Sequence, residues 1–473
     1  MIGITAFGGY VPYNRIKTKS ISEAYGKHSK DGEKAVAYYD EDSITMAVAA
    51  SLISLDSYDK NLINGVFFAS TTSPYSEKQA ATNIAAAIDL RQKAIRTADF
   101  SNSLRASTSA LLSGIESARS GNHSLVSIGD CRLGGPDGPN ELLLGDGAAA
   151  FIIGNNQVLA EYLDSYSVSA DFIDNWRSNK DIYVRDWGIR YAVNAGYRPL
   201  VHDAVEGLLS KTGLKINEFN KIILYAHQAR YQKQIAKELG FTPEQIQESM
   251  YDKIGNTGCA AAPLMLIAAL EKAQPGDKLL YVSYGEGCDA IVFEVTEQIR
   301  SVRPKVDLLN LIEDKNSDVS YSKYLKWKNL MTFEPQKRPE QERSSLPDYF
   351  RNYKKNNALY GSKCKICGVP QFPPQRVCAN CQSIDEMEEY QFLGRKAWIK
   401  TYTFDNLSLS LDPPNILVVV EFEGGGKLMT YLVDCDKDDL KINMEVTMSF
   451  QKLFKANGVN TYFWKAVPKR IRR

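Results

Sequence analysis

Over the first 297 residues, short apolar runs alternate with longer stretches of mixed periodicity. Gly65–Ser70, Ser124–Gly129, Lys221–Ala226, Lys278–Ser283 and Ala290–Val295 are six-residue segments, mostly apolar and often β-branched or aromatic, which predicts buried strands. Asp42–Ser54, Gln79–Ile88, Ser107–Ser120, Leu200–Thr212 and Ala262–Lys272 carry apolar residues at helical spacing. Strands alternating with helices in this way predict α/β layers. The pattern fades over residues 298–346, which are polar and charged with few apolar periods and read as a connector, partly helical around Val319–Leu330. Residues 347–363 predict a short amphipathic helix with Tyr349, Phe350, Tyr353 and Leu359 on one face. Beyond it, Ala397–Phe404, Ile416–Phe422, Lys427–Val433 and Val446–Phe450 read as short strands of a small β-barrel.

One internal echo organises the first part. Gly145-Asp-Gly-Ala-Ala-Ala-Phe-Ile-Ile returns 140 residues later as Gly285-Glu-Gly-Cys-Asp-Ala-Ile-Val-Phe, each time downstream of a strand. A duplicated α/β unit explains the recurrence. The expected organisation is therefore a domain over residues 1–297 in halves of about 1–160 and 161–297, a connector over 298–346, a helix and metal ribbon over 347–390 and a barrel over 391–473.

Composition narrows the function classes. The 473 residues are 44% hydrophobic and 24% charged, ordinary values for a globular chain, and the formal net charge is +1. So balanced a charge supplies no field for nucleic acid or an acidic membrane, and the basic run from Lys465 to Arg473 reads as a solvated tail. The first residues, Met-Ile-Gly-Ile-Thr-Ala-Phe, lack the basic and long apolar regions of a secretory signal, and no eighteen-residue apolar stretch occurs. The expectation is a cytoplasmic protein.

Of the eight cysteines, four form two Cys-x-x-Cys knuckles, Cys364/Cys367 and Cys378/Cys381, separated by ten residues. Each knuckle can present two thiolates to one tetrahedral Zn²⁺, and two knuckles close a Cys₄ shell with no open position, so the metal would be structural. Cys131, Cys259, Cys288 and Cys435 are scattered in apolar or glycine-rich surroundings and read as reduced packing residues. The segment from Gly361 to Cys381, with Thr401-Tyr-Thr-Phe-Asp and Glu423-Gly-Gly-Gly-Lys further on, resembles the rubredoxin-like ribbon and OB-fold of proteins that accompany thiolase-fold enzymes as subunits or fusions. An OB-fold alone suggests oligonucleotide binding, but this one lacks a basic and aromatic stripe, so nucleic acid is not expected.

A second resemblance covers most of the first domain. Tyr225-Ala-His227-Gln-Ala-Arg is similar to the His-Gln-Ala motif of ketoacyl synthase III enzymes, and Gly255-Asn256-Thr-Gly to their Gly-Asn-Thr loop. Gly145-Asp-Gly, Tyr284-Gly-Glu-Gly and Pro275-Gly-Asp extend the match, and Gly255–Leu270 is also similar to hydroxymethylglutaryl-CoA synthases. The resemblance implies a thiolase-superfamily domain, a duplicated five-layer α/β sandwich, usually dimeric, that handles acyl-CoA thioesters. His227 and Asn256 would then aim N–H groups at a thioester oxygen, each such donor being worth about 3 kcal/mol on a developing oxyanion.

The departures from the family pattern carry as much information. The family nucleophile is a cysteine opening a buried helix; in Asp99-Phe-Ser-Asn-Ser103-Leu104-Arg105-Ala106 its position falls on Leu104, which cannot form an acyl-enzyme. The glutamate used by hydroxymethylglutaryl-CoA synthases falls on Thr72. Ser103, Cys259 and Cys288 are candidate substitutes, each also readable as a packing residue, while Glu77 and Lys78 read as exposed helix-start charges. Three functions remain open: aldol-type making or breaking of a carbon–carbon bond beside a thioester without a cysteine; a non-catalytic partner of a separate thiolase; or an acyltransferase with a relocated nucleophile. Expected partners are acyl-CoA, a second copy of the chain and a thiolase subunit. No CoA-binding residue is assignable, since Arg15, Arg105 and Arg190 have no distinguishing context.

Overall fold

The protein is described here by a computed structural model covering residues 1–28, 31–56, 58–90, 94–301, 306–332, 334, 345–408, 410–456 and 458–469. The last residues of the basic tail and the charged stretch 335–344 of the expected connector lie outside these. The chain divides into two compact units, the first made of Met1–Ala37, Asp42–Ile84 and Gln92–Tyr321, the second of Tyr38–Glu41, Ala85–Arg91 and Ser322–Arg473.

Nine strands form the sheet of the first unit: β1 (Gly3–Tyr10), β2 (Ile63–Ala69), β3 (Arg96–Phe100), β4 (His123–Cys131), β5 (Asp146–Gly154), β6 (Ala160–Ser169), β7 (Lys221–Leu224), β8 (Lys278–Tyr284) and β9 (Gly287–Val295). Their order is β7-β8-β9-β6-β1-β5-β4-β2-β3. The echo in the sequence is a symmetry of this order. The repeated Gly turns join β4 to β5 and β8 to β9, antiparallel hairpins in matching places on either side of the β6–β1 junction. β2 pairs parallel with β3 and β4; its counterpart β7 pairs parallel with β8 and bridges from Ile222 to Ile246.

The longer helices are α1 (Ser43–Leu55), α2 (Ala80–Ala87), α3 (Ala106–Arg119), α4 (Arg198–Thr212), α5 (Ala229–Glu238) and α6 (Ala261–Leu270). Asp42 caps α1 by accepting from Ile44 and Thr45 N–H, and Asp99 accepts the first two N–H groups of α2. α1 packs on β1, β4 and β5, and α4 on β6, β8 and β9, as outer layers. α6 is buried along its whole length and touches strands of both halves, and α3 packs on β2, β3, β4 and β5. A helix buried all round belongs to the interior of a fold, here between the two halves of the repeated sheet order, so this is the duplicated α/β/α/β/α sandwich. Small residues along α3, including Ala106, Ser107, Ala110 and Gly114, let it approach β4 and β5; a Cβ on Gly114 would meet Ile153 at 3.2 Å.

This unit continues beyond residue 297, the expected domain end. Leu308 and Ile312 are buried in its core, Leu308 N–H donates to Glu271 at 2.8 Å, and Asn316 bridges to Asn14. The apolar run Val306–Ile312, five apolar residues in seven, is too short beside its charged flanks to have marked that anchoring.

In the second unit, strands β10 (Ala397–Asp405), β11 (Asn415–Phe422), β12 (Lys427–Leu432), β13 (Glu445–Ala456) and β14 (Val459–Pro468) close a barrel in the order β10-β11-β12-β14-β13. The single amphipathic helix expected over 347–363 is instead two short helices, Leu346–Arg351 and Tyr353–Ala358. Leu359 ends the second by adopting φ 53°, is itself fully buried, and leads into the ribbon strand Tyr360–Cys364; Phe350 is 65% exposed. Among the described residues no helix is long and apolar enough to cross a membrane.

Candidate active site

His227 follows the end of β7 and precedes α5, where the chain leaves the sheet. Its ring is buried and its Nε2 lies 3.0 Å from Asp174 Oδ2. An ionised carboxylate only accepts, so Nε2 carries a proton and Nδ1 is left facing the Asn175 amide at 3.5 Å. Burial raises the Asp174 pKa, but the hydrogen bond and charge of His227 outweigh it and hold the carboxyl below its ordinary range. Asp174 sits at the start of a small ladder, Asn175–Trp176 paired with Arg185–Asp186, which is fastened by Trp187 N–H to Asp174 O and by Arg177 to Thr71 O at 2.6 Å. Nothing in the segment around Asp174 had marked it from sequence, because its importance depends on this closure.

The Tyr284 ring stands edge-on to His227 at 5.6 Å between centroids. Its hydroxyl is buried beside the Asp174 carboxylate, and burial followed by the charge of Asp174 pushes its pKa far above the ordinary value.

Asn256 is held on its backbone by the Gly turn of the other half. Its N–H donates to Leu143 O at 2.7 Å and its carbonyl accepts from Gly145 N–H at 3.1 Å. The approach is so close that a Cβ on Gly145 would sit 1.9 Å from Ile254 O, and Gly255, at φ 75°, faces the same turn. The Asn256 amide donates over 3.3–3.4 Å to Tyr225 OH and to the Ala226 and His227 carbonyls, and its Oδ1 accepts from Gly258 N–H at 3.0 Å. His227 and Asn256 are thus neighbours, but each spends N–H capacity on the protein itself.

Leu104 lies two residues ahead of α3 and is 9% exposed. Gly285 presses against it: a Cβ there would be 3.2 Å from Leu104 Cβ. The neighbouring Ser103 hydroxyl donates to Gly285 O at 3.2 Å, and no histidine is among its hydrogen-bond partners. Cys259 opens the approach to α6; its thiol donates to Ser103 O at 3.4 Å and its N–H to Asp130 at 3.0 Å. Burial, then the Asp130 charge, pushes the Cys259 thiol well above its ordinary pKa, and burial does the same for Cys288. Neither has the depressed pKa of a reactive thiolate. The Thr72 hydroxyl donates to Asp130 at 2.6 Å and accepts from Cys131 N–H at 2.8 Å, so it is tied into the scaffold.

The arginines with no sequence context now have one. Arg105 clamps Asp289 through Nε and Nη2 at 2.9 and 2.7 Å, fixing the mouth of α3 to β9. Arg15 is fully buried, and Arg190 is exposed. Glu77 and Lys78 are exposed just ahead of α2.

In the second unit Cys364, Cys367, Cys378 and Cys381 are unbridged, with all four sulfurs within 4.8 Å of one another. Cys364–Cys381 and Cys367–Cys378 are 3.6 and 3.5 Å apart. Thiolates about 2.3 Å from a tetrahedral zinc stand roughly 3.8 Å from one another, so the donor set fits that ion.

Residues 209–294 match the family model of the 3-oxoacyl-[acyl-carrier-protein] synthase III C-terminal domain, residues 351–388 the ChsH2 rubredoxin-like zinc ribbon and residues 390–451 the ChsH2 C-terminal OB-fold domain. The chain is 33% identical over 346 residues to the hydroxymethylglutaryl-CoA synthase of Methanopyrus kandleri, covering 70% of this chain and 98% of that one. It is 31% identical over 347 residues to the enzyme of the same name from Caldivirga maquilingensis, again covering 70% and 98%. Among solved structures it resembles MvaS in complex with 3-hydroxy-3-methylglutaryl coenzyme A, with a TM-score of 0.61 at 20% identity over 72% of this chain and 94% of that one. Fold and site together define a thiolase-superfamily protein carrying a zinc-ribbon and OB-fold module. Within that superfamily the chain belongs to the hydroxymethylglutaryl-CoA synthase family.

Proposed function

We propose that the protein makes or breaks a carbon–carbon bond next to an acyl-CoA thioester by aldol-type chemistry, without an acyl-enzyme. The observation that carries this reading is the buried His227–Asp174 pair in a site whose helix mouth bears Leu104 and whose nearby thiols are neutral. In the cleavage direction, Nδ1 of His227 takes the proton of a β-hydroxyl, whose O–H electrons form the new carbonyl as the bond between the α and β carbons breaks. The electrons of that bond pass to the thioester as an enolate, and the imidazolium returns its proton to the α carbon. Asp174 stabilises the imidazolium between the two transfers, as a buried carboxylate does for a general base. Asn256 turns its amide toward the enolate oxygen, a contact now made over long distances to protein acceptors. The Cys₄ ribbon holds a structural Zn²⁺ that takes no part in these transfers. The test is release of the shorter acyl-CoA from β-hydroxyacyl-CoA thioesters by wild type and by His227→Ala; undiminished turnover in the variant removes the reading.

A second reading is a non-catalytic partner of a thiolase, with acyl-CoA bound but not transformed. It is favoured by the inward-spent N–H groups of His227 and Asn256 and by the fused ribbon and barrel, whose relatives accompany thiolase-fold enzymes. Co-purification with a thiolase subunit, together with inert β-hydroxyacyl-CoA, would select it. The third reading, a relocated nucleophile, requires an acyl adduct after incubation with acetyl-CoA, visible by intact mass. Assembly as a homodimer accords with either of the first two.

A further inference from the structure

Gly285 and Glu286 form the turn from β8 to β9, and Glu286 adopts φ 43°, in the left-handed region that favours glycine. The glycines on either side of it let the turn press onto the mouth of α3. A Cβ on Gly285 would lie 3.0 Å from Ser103 Oγ and 3.2 Å from Leu104 Cβ, and one on Gly287 would run into Val168 O and the Arg105 guanidinium. The Glu286 carbonyl accepts from Ala170 N–H at 3.2 Å and from Arg105 Nη1 at 3.1 Å. A glutamate held where glycine would sit at lower cost points to a use for its side chain.

The turn borders the candidate site. Tyr284, two residues back, stands edge-on to His227, and Asp174 follows four residues after Ala170. The other carboxylates nearby are already engaged: Asp174 by His227, Asp130 by Thr71, Thr72 and Cys259 N–H, and Asp289 by Arg105 and Thr108. Glu286 is instead exposed at the mouth. Partial burial of its carboxyl, then the charge of Asp174, raise its pKa, against a hydrogen bond from Ser103 and the charges of Arg105 and Arg132. A carboxyl moved toward the working pH can both take and give a proton.

We propose that Glu286 is a catalytic residue that carries the proton between His227 and the α carbon of the thioester. In the cleavage direction its carboxylate takes the proton that the imidazolium gives up and hands it to the α carbon, where the electron pair of the enolate forms the new C–H bond. In the reverse direction the carboxylate removes the α proton, and the electrons of that C–H bond become the enolate. Each group ends a turnover in the state in which it began. This assignment rests on the aldol-type reading above, whose return of the proton to the α carbon it routes through one named carboxyl.

The experiment follows exchange of the α protons of acetyl-CoA in D₂O by mass spectrometry, alongside cleavage of β-hydroxyacyl-CoA thioesters that release acetyl-CoA. It uses full-length wild type, Glu286→Gln, Glu286→Asp and Glu286→Gly. Wild type is expected to catalyse the exchange, Glu286→Gln to slow exchange and cleavage alike by ~10²-fold, and Glu286→Asp to recover part of both. Glu286→Gly should melt at a higher temperature than wild type, because the turn favours glycine, and should lose the exchange. Far-UV circular dichroism checks the fold of each variant, and Glu286→Gly and Glu286→Asp decide the matter where Glu286→Gln fails to fold. Exchange at the wild-type rate in Glu286→Gln or Glu286→Gly, or a wild type that cleaves without exchanging, overturns the assignment and leaves the aldol-type reading standing. If wild type neither exchanges nor cleaves, that reading falls and takes this assignment with it.

Discussion

His227 and Asp174 are 53 residues apart in sequence and 3.0 Å apart in the fold, both almost wholly buried. A carboxylate so placed fixes the ring's orientation and its tautomer. His227→Ala is therefore expected to lower kcat/KM for β-hydroxyacyl-CoA cleavage by roughly 10²–10⁴-fold, the range for losing a general base. Asp174→Asn should cut kcat more than it raises KM, because it alters the proton-transfer step rather than substrate binding. Steady-state kinetics on the two variants check both.

The same pair dictates an acid limit. Folding lowers the Asp174 pKa, chiefly through His227 and against burial, beneath an unfolded value near 3.9. The stabilisation is thus fully present above the unfolded value and is lost as pH falls through the folded one. Thermal melts from about pH 6 to about pH 3 should show wild type losing its advantage over Asp174→Asn at the acid end.

Glu271, at the end of α6, has the opposite sign. Burial, and to a lesser extent Asp307, raises its pKa to about 8, although it accepts a hydrogen bond from Leu308 N–H. A carboxyl that binds its proton more tightly when folded destabilises the fold progressively as pH rises from its unfolded value toward its folded one. Glu271→Gln is expected to leave stability near pH 4 little changed and to raise it near pH 8 by on the order of 1–2 kcal/mol, read from denaturant midpoints.

The ribbon gives a prediction confined to the second unit. With four sulfurs gathered for one tetrahedral ion, removal of zinc by a chelator, or Cys364→Ser, should unfold the ribbon and expose residues 345–390 to protease while the first unit remains resistant. Limited proteolysis followed by mass analysis reads this, and zinc content should be near one ion per chain.

What the sequence made legible was local. The Cys-x-x-Cys knuckles, the alternating strands and helices and the repeated Gly turns are each encoded within a few neighbouring residues, and each appears where expected. His227 and Asn256 could be singled out because each sits in a short motif, Tyr225-Ala-His-Gln-Ala-Arg and Gly255-Asn-Thr-Gly, the second held by the close backbone approach of Gly145 to Ile254. Asp174 was not singled out: it lies in an irregular segment, and only tertiary closure brings it to His227. The break at Leu359 was hidden for a different reason: leucine rarely takes a left-handed backbone, so nothing in its identity announced the helix end.

On the aldol-type reading proposed above, Leu104 stands where a cysteine would make the catalysis covalent. Its side chain is 9% exposed at the mouth of α3 and packs against Gly285. Leu104→Ala should therefore cost about 2–3 kcal/mol, the lower part of the range for a buried leucine. Leu104→Cys fills more of the space and should cost less, while placing a thiol at that helix mouth, beside the clamped Arg105. A cationic neighbour favours a thiolate, so the cysteine variant is expected to gain an acyl adduct on incubation with acetyl-CoA, seen by intact mass and reversed by hydroxylamine. Wild type, whose nearby thiols are buried and neutral, should gain none. An adduct on wild type would transfer the nucleophile's role to another residue, which peptide mapping would identify, and would overturn the aldol-type reading.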